Sequence, residues 1–183
     1  MAAGSSSNFS GIMSIKLQQA TPGDIPRIQV LAQRIWRAHY PAIIGEKQVE
    51  YMLELLYNPA ALQTQMESGQ MFKWVMQADE MIGFVAISNQ REGRYFLHKF
   101  YLDNEKRGRG LGKIAFEKLL AQYPDLRELR LTVNRRNFTS INFYFKVGFF
   151  IEKCVDIPIG EGFTMDDFQM LYTVHGSRHT TDN

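Results

Sequence analysis

Three glycines that alternate with other residues, between a predicted strand and a predicted helix, constrain this chain more than any other stretch. Residues 95–102 are aromatic and aliphatic and predict a strand, whereas residues 111–120 place apolar side chains at helical spacing. Between them, Gly108, Gly110 and Gly112 allow positive φ and close approach of a ligand to the backbone. The helix start adds free N–H groups and a positive dipole end, so the stretch predicts a phosphate-binding turn.

Two well-known phosphate-binding signatures do not fit the spacing. A Walker A loop would need a glycine at position 107, which is Arg107, and a Ser or Thr where Ile114 stands. A dinucleotide fingerprint is met formally by Gly110–Ala115, but a polar connector separates it from its strand and no later strand carries the required acid. A different class of phosphate ligand is therefore expected.

Composition narrows the classes of function further. With 183 residues, 45% of them hydrophobic and 22% charged, the chain resembles one ordinary globular domain. A net charge of +2 gives no case for nucleic acid, and no apolar run approaches the ~18 residues of a membrane span, so we expect a cytoplasmic protein. The single cysteine, Cys154, excludes an internal disulfide and a multi-cysteine metal site. Its strand-like surroundings predict a buried structural thiol, and no metal is expected.

Hydrophobic periodicity and turn residues predict an α+β protein. Strands are expected at residues 13–19, 72–77, 81–89, 95–102, 128–133, 149–157 and 168–174. Helices are expected from an Asp24 cap to Pro41, at 46–57, from Pro59 to about residue 68, from the glycines to Pro124, and at 138–147. In the first two helices the positions expected to be buried are Ile28, Leu31, Ala32, Ile35, Trp36, Val49, Met52, Leu53 and Leu56. We expect one domain at 13–175, a disordered leader or expression remnant at 1–12, and a polar tail at 176–183.

A second motif follows the strand at 128–133. Asn137, Ser140, Tyr144, Gly148 and Phe149 match the pattern N-x-x-[AS]-x-x-x-Y-x-x-x-G-F. The glycine turn itself matches R-x-x-G-x-G. The glycine turn resembles motif A of the GNAT superfamily of N-acetyltransferases, and the second motif resembles motif B of the same superfamily. The resemblance extends over residues 14–174.

The resemblance implies a GNAT-like fold, with helices flanking a mixed, mostly antiparallel sheet of about seven strands. It also implies an N-acetyltransferase that moves the acetyl group of acetyl-CoA to a primary amine by direct attack in a ternary complex. Tyr144 corresponds to the family's general acid. The implied coenzyme-binding residues lie at the strand end, in the glycine turn and at the second motif: Phe100, Tyr101, Leu102, Arg107, Gly108, Arg109, Gly110, Leu111, Gly112, Lys113, Asn137 and Ser140. An asparagine at 137 also suits a plain helix cap.

The proton acceptor is less well defined by the resemblance. Many relatives have a carboxylate where this chain has Phe96. His98 lies on the same strand face, and histidine has a suitable unperturbed pKa of about 6.5, so it is our candidate. His39, Tyr40 or a water chain to a glutamate are alternatives. An alternative function for the whole chain is a module that binds acyl-CoA as a sensor without catalysis.

The acceptor amine is suggested by a looser likeness. Segments 156–163 and 166–170 resemble bacterial PaiA-like spermidine/spermine N-acetyltransferases. Six acids could face a polycation, although solvated surface explains them equally well: Glu46, Glu50, Glu54, Glu161, Asp166 and Asp167. The expected partner is thus a small amine, with a polyamine as the narrower version. An antibiotic, a protein or peptide amine, and assembly as a homodimer are also considered.

Overall fold

Seven strands and six α-helices account for most of the residues that the structure describes. The structure is a computed structural model that describes residues 14–106 and 109–174. The strands are β1 (Ile15–Gln19), β2 (Met71–Gln77), β3 (Glu80–Asn89), β4 (Arg94–Leu102), β5 (Glu128–Asn134), β6 (Phe150–Gly160) and β7 (Phe163–Thr173). The helices are α1 (Ile25–His39), α2 (Pro41–Ile44), α3 (Glu46–Tyr57), α4 (Pro59–Glu67), α5 (Leu111–Ala121) and α6 (Phe138–Lys146).

The strands form one mixed sheet in the order β1-β2-β3-β4-β5-β7-β6. Antiparallel pairs join β1 to β2, β5 to β7 and β6 to β7, whereas β4 and β5 are parallel. The parallel register covers only Arg94–Phe96 against Glu128–Arg130 in the described chain, while β5 pairs with β7 along its full length. The predicted α+β class, with a mostly antiparallel sheet flanked by helices, is confirmed.

The described chain divides into two compact units. Unit one comprises residues 14–86 and 99–122 with the gap at 107–108, and unit two comprises residues 87–98 and 123–174. The unit boundaries fall inside β3 and β4, so these two strands contribute residues to both units.

Helix periodicity placed the core of unit one correctly at eight of the nine expected positions. In α1, all five predicted apolar residues are buried, and in α3 so are Val49, Met52 and Leu53. Leu56 is only half-buried, and its neighbour Tyr57 is 1% exposed instead. The aromatic ring of Tyr57 packs edge-on against the rings of Trp36 and Phe84. The aliphatic side chain of Leu56 cannot make such ring contacts.

Three local expectations were wrong. Asp24 is the N-cap residue of α1, as expected, but its side chain does not cap that helix; its carboxylate accepts hydrogen bonds from the Thr21 N–H (2.9 Å) and hydroxyl (3.0 Å) and closes a preceding 3-10 turn. Cys154 is exposed, because it lies on β6, the last strand in the sheet order, whose residues are exposed or half-exposed throughout. The third error is in the facing ends of the last two strands, expected at residues 157 and 168, since the β6–β7 ladder continues to Gly160 and Phe163.

Gly83 marks the tightest contact of a glycine with neighbouring backbone in unit one. A Cβ at this position would overlap the carbonyl oxygen of Tyr101 and lie 2.8 Å from Leu102 Cδ2. Only glycine therefore allows β3 to approach the end of β4 this closely.

We expect Gly83→Ala to lower the free energy of unfolding by about 1–3 kcal/mol, because the overlap is with backbone that cannot rotate away. Urea denaturation followed by circular dichroism measures this change. Gly23→Ala is the matched control: the nearest heavy atom to its Cβ is 3.6 Å away, so a change within about 0.5 kcal/mol is expected. Equal effects of the two substitutions would contradict the role assigned to Gly83.

Candidate functional site

The glycine turn enters α5 through a left-handed residue. Gly110 is the N-cap residue, with φ 74° and ψ −1°, and a Cβ built there would meet no heavy atom within 4 Å beyond its chain neighbours. Arg109 and Lys113 are exposed beside it, and Leu111 is buried under the first turn. This arrangement brings open space and basic side chains to a helix start, whose first N–H groups have no acceptor within the helix, as an anion site requires. Arg107 and Gly108 lie outside the described residues.

The connector between β4 and the turn is held at both ends. The Asp103 N–H donates to the Ile82 carbonyl (2.8 Å), and the Asp103 carboxylate accepts from the Arg34 guanidinium of α1 at 2.5 Å. Lys106, three residues on, pairs with Glu80 at 2.8 Å. These contacts fix the path by which the chain leaves β4 and approaches the glycines.

An aromatic cluster surrounds Tyr101 near the end of β4. Its ring lies 5.4 Å from that of Phe84 and 6.2 Å from that of Trp36, and Trp36 stacks on Tyr40 at 4.4 Å. Tyr57 completes the cluster, 5.5 Å from Trp36, and burial raises the pKa of its phenol. Because the phenol of Tyr57 stays neutral, this cluster offers aromatic faces rather than a negative charge.

Lys99 is a buried cation on the same strand, and no sequence motif identified it. Its residue is 7% exposed, and its Nζ donates to Gln65 Oε1 at 2.5 Å. The ammonium also lies 5.4 Å from the ring centre of Tyr57 and 5.3 Å from that of Phe72. Burial lowers the pKa of Lys99 to about 8. The sequence did contain a signal for this burial. Lys99 occupies an inward position in the alternation of β4, where the other inward residues are apolar or aromatic.

The second motif lies in unit two, at the start of α6. Asn137 is 1% exposed, and its Oδ1 accepts the backbone N–H of Ser140 at 3.2 Å, which confirms the helix-cap alternative. Tyr144 is 8% exposed, with its ring 5.4 Å from those of both Phe143 and Phe149. The motif thus positions a largely buried phenol on a capped helix.

His98 has a defined hydrogen-bonding environment within unit two. Its Nε2 lies 2.7 Å from Ser88 Oγ, and that hydroxyl accepts a hydrogen bond from Gln90 Nε2, also at 2.7 Å. The ring of Phe96 is 4.9 Å away, which confirms that both side chains share a strand face. A hydroxyl can donate to a neutral imidazole or accept from a charged one, so Ser88 suits either protonation state of His98.

The six acids noted in the sequence are divided between the two units, three in each. Glu50 is paired with Arg37 through two hydrogen bonds of 2.8 Å, and these hydrogen bonds lower the pKa of its carboxyl. In unit two, Arg135 pairs with Asp156 and lies 3.8 Å from Asp166. The chain's own arginines therefore meet part of the negative charge that a cationic substrate would need.

Asp167 departs most from a solvated acid. It is 6% exposed and sits opposite Asn134, the last residue of β5. Burial raises the pKa of its carboxyl to about 6, against a smaller lowering effect of a hydrogen bond from Thr132. The alternative explanation, surface solvation, therefore does not apply to Asp167.

The predicted site residues are divided between the two units. Unit one holds Phe100–Leu102 and 109–113, and unit two holds His98, Asn137, Ser140 and Tyr144. Within residues 14–106 and 109–174, no group of three or more His, Cys, Asp or Glu side chains could hold a metal ion. In the same described part of the chain, no helix has the length and apolarity needed to cross a membrane.

Comparison with known proteins gives consistent matches. The sequence profile of the acetyltransferase (GNAT) family matches residues 31–149. The peptidyl-lysine N-acetyltransferase YjaB of Escherichia coli K12 is 33% identical over 75 residues, which are 41% of this chain and 46% of YjaB. The chain thus matches about half the length of this curated relative.

Solved structures resemble the fold over nearly its whole length. The PaiA N-acetyltransferase of Thermoplasma acidophilum, solved with coenzyme A, has a TM-score of 0.70 at 24% identity, covering 88% of this chain and 100% of that chain. A GNAT-family protein of Rhodopseudomonas palustris has a TM-score of 0.71 at 17% identity, covering 89% and 98%. At these identities the likeness concerns the fold alone. Since the family profile spans more than half of the sequence, this chain belongs to the acetyltransferase (GNAT) family.

Proposed function

We propose that this protein transfers the acetyl group of acetyl-CoA to a primary amine of a small molecule, by direct attack within a ternary complex. The observation that carries the proposal is the left-handed Gly110 at the start of α5, with open space where a side chain would lie. In a chain of this family, such a turn is suited to the diphosphate of coenzyme A.

The coenzyme-binding residues we propose in unit one follow from this turn. Backbone N–H groups of Gly110–Lys113 bind the diphosphate, and the side chains of Arg109 and Lys113 add positive charge. Arg107 and Gly108 belong to the same proposed turn. The backbone of Phe100–Leu102, which the connector contacts hold in place, receives the pantetheine arm and polarises the thioester carbonyl. In unit two, we propose that Asn137 and Ser140 contribute to coenzyme binding.

The chemistry requires two proton transfers. The amine nitrogen, in its neutral form, attacks the thioester carbon, a C–N bond forms, and the C–S bond of the tetrahedral intermediate breaks. One amine proton passes to a base, and the departing thiolate takes a proton from an acid. We propose Tyr144 as the acid, supported by its place in the second motif and its burial on a capped helix.

We propose His98 as the proton acceptor. Its Nε2 lies 2.7 Å from the Ser88 hydroxyl oxygen, a contact that helps to orient the imidazole ring. Ser88 can change from donor to acceptor when the imidazole gains a proton, so the same contact serves both states.

For the acceptor we propose only a chemical class, the primary amines of small molecules. A polyamine is the narrower proposal and depends on acids outside the described ion pairs, such as the exposed Glu46 and Glu54 of α3. A peptide lysine is the second candidate, because the relative from Escherichia coli is described as a peptidyl-lysine N-acetyltransferase. Cytoplasmic location and a homodimer are further proposals from the sequence.

Coenzyme A release from acetyl-CoA, measured with spermidine, small monoamines and a lysine peptide, tests the function. Turnover with at least one of them is expected, and the preferred acceptor identifies the class. Binding of acetyl-CoA without turnover would instead identify a sensor module and contradict the catalytic proposal.

Gly110→Asp should weaken acetyl-CoA binding by about 100-fold or more, because it places a negative charge beside the diphosphate. Isothermal titration calorimetry measures the affinity. Gly110→Asn is the matched control, since asparagine tolerates the left-handed conformation and carries no charge. If both variants bind like the unmodified protein, the diphosphate does not bind at this turn.

Tyr144→Phe should lower kcat by about 100-fold or more while leaving acetyl-CoA affinity nearly unchanged, because only the proton donor is removed. Steady-state kinetics and calorimetry separate the two quantities. Tyr123→Phe is the control, as Tyr123 is a half-buried tyrosine of the same unit that lies outside both motifs. Unchanged turnover in Tyr144→Phe would exclude the phenol as the acid.

His98→Ala should remove the acidic limb of the pH profile of kcat/KM and lower kcat/KM by about 100-fold. His98→Gln is the informative partner, since glutamine can still hydrogen-bond to Ser88 but does not titrate in this range. Loss of the limb in both variants supports the base. An intact limb in His98→Gln shows that the residue acts only as a structural contact.

A further inference from the structure

The ammonium of Lys99 is held by three elements that converge on β4. Gln65 of α4 accepts its hydrogen bond, and the rings of Tyr57 of α3 and Phe72 of β2 lie against it. Gln65 is itself oriented, because its Nε2 donates to the Leu56 carbonyl of α3 at 2.8 Å. One amide side chain thus connects the end of α3 to the middle of β4 through Lys99.

Burying the ammonium of Lys99 in this arrangement lowers the free energy of unfolding compared with an apolar side chain. A buried ammonium has three donors, and the hydrogen bond to Gln65 accounts for one of them. Burial without a paired charge costs folding free energy, and methionine would fill a similar volume without that cost. The lysine therefore contributes something other than stability, and its contacts point to a defined placement of β4.

The strand segment next to Lys99 is the one to which we assigned the thioester. Phe100–Leu102 follows directly, and at about 3.3 Å per residue its far end is roughly 10 Å from Lys99 along the strand. The other end of this segment is already fixed, since Asp103 is bonded to Ile82 and Arg34. Lys99 supplies the fixed point at the near end.

We propose that Lys99 is a positioning residue, whose buried hydrogen bond to Gln65 holds β4 so that the backbone of Phe100–Leu102 is correctly placed for the acetyl thioester. The proposal rests on the proposed function of this strand end. Lys99 acts through the backbone and takes no part in the bond-making steps.

The charged form of Lys99 is the one that makes this contact strongly. Among the groups packed on it, Tyr57 is titratable, and burial raises the pKa of that phenol so that it stays neutral. The charged side chains of the surrounding elements lie elsewhere: Glu46, Lys47, Glu50, Glu54 and Glu67 are exposed, and Lys73 donates to Gln19. On β4 itself, His98 contacts Ser88.

The sign of the pH dependence follows from burial. The pKa of Lys99 is lowered from 10.5 to about 8, so the folded protein releases this proton at a pH where an exposed lysine keeps it. The strong, charge-assisted contact with Gln65 is therefore present below about pH 8 and is lost above it.

The contact itself can be observed by NMR of the full chain labelled with 13Cε-lysine. The Lys99 signal is identified by its absence in Lys99→Met and should titrate with a midpoint near 8. In Gln65→Leu the midpoint should be lower still, because the acceptor for the charged form is gone. A midpoint near 10.5, the value of an unperturbed lysine, would overturn the proposal.

Kinetics then test the positioning role. Below pH 8, Lys99→Met and Gln65→Leu should each lower kcat by about tenfold, the scale of one charge-assisted hydrogen bond, with acetyl-CoA affinity changed by less than about twofold. The ratio of unmodified to variant kcat should fall toward one above pH 8. Lys73→Met is the matched control and should leave kcat unchanged. Circular dichroism checks folding, and Gln65→Leu keeps the test valid if Lys99→Met does not fold.

The outcomes are distinguishable. If the unmodified protein neither binds nor uses acetyl-CoA, the proposed function fails and the positioning role fails with it, whatever the Lys99 titration shows. If the unmodified protein is active and the kcat ratio is flat from pH 6 to pH 10, or equals that of Lys73→Met, the function stands and the positioning role is wrong.

Discussion

The positive φ of Gly110 is the constraint on which the proposed chemistry of unit one depends. The chain enters α5 through Gly110 in the left-handed conformation, which glycine adopts at lower cost than other residues. The absence of a side chain then leaves the helix-start N–H groups accessible. One backbone angle thus provides both the change of direction and the start of the proposed anion site.

The surroundings of this turn show how the chain's own charges limit the substrate. Arg34 and Lys106 are engaged by Asp103 and Glu80, so they fix the connector rather than offering charge to a ligand. On α3, Glu50 is neutralised by Arg37. Exposed pairs of this kind contribute little to stability, but they reduce the net field seen by an approaching charged molecule. The acids left outside these ion pairs, such as Glu46 and Glu54, are the ones on which the proposed recognition of a polyamine depends.

The sequence predicted the fold well where one periodicity governed a whole segment. The apolar positions of α1 and the span of α3 agree with the structure because burial on one face decides them. Prediction failed where the pairing of a strand with its neighbours decides how far the strand extends and how exposed its residues are. Residues near the β6–β7 turn are polar and glycine-rich, yet they join the ladder because each strand supplies the other's hydrogen bonds. Cys154 was misplaced since a strand pattern does not reveal that its strand lies last in the sheet order.

The site residues divide in the same way. Motif spacing identified the turn and the second motif, because each motif is local in sequence. Lys99 and Asp167 were missed as buried groups, since their environments come from distant elements: Gln65 and Phe72 for the lysine, Asn134 and Thr132 for the acid. Both stand at positions where an apolar residue would be cheaper to bury. A charged residue that interrupts an otherwise inward-facing alternation is therefore a signal in itself. In β4 this signal was available, because Lys99 stands on the strand face that carries the buried Tyr95 and Leu97.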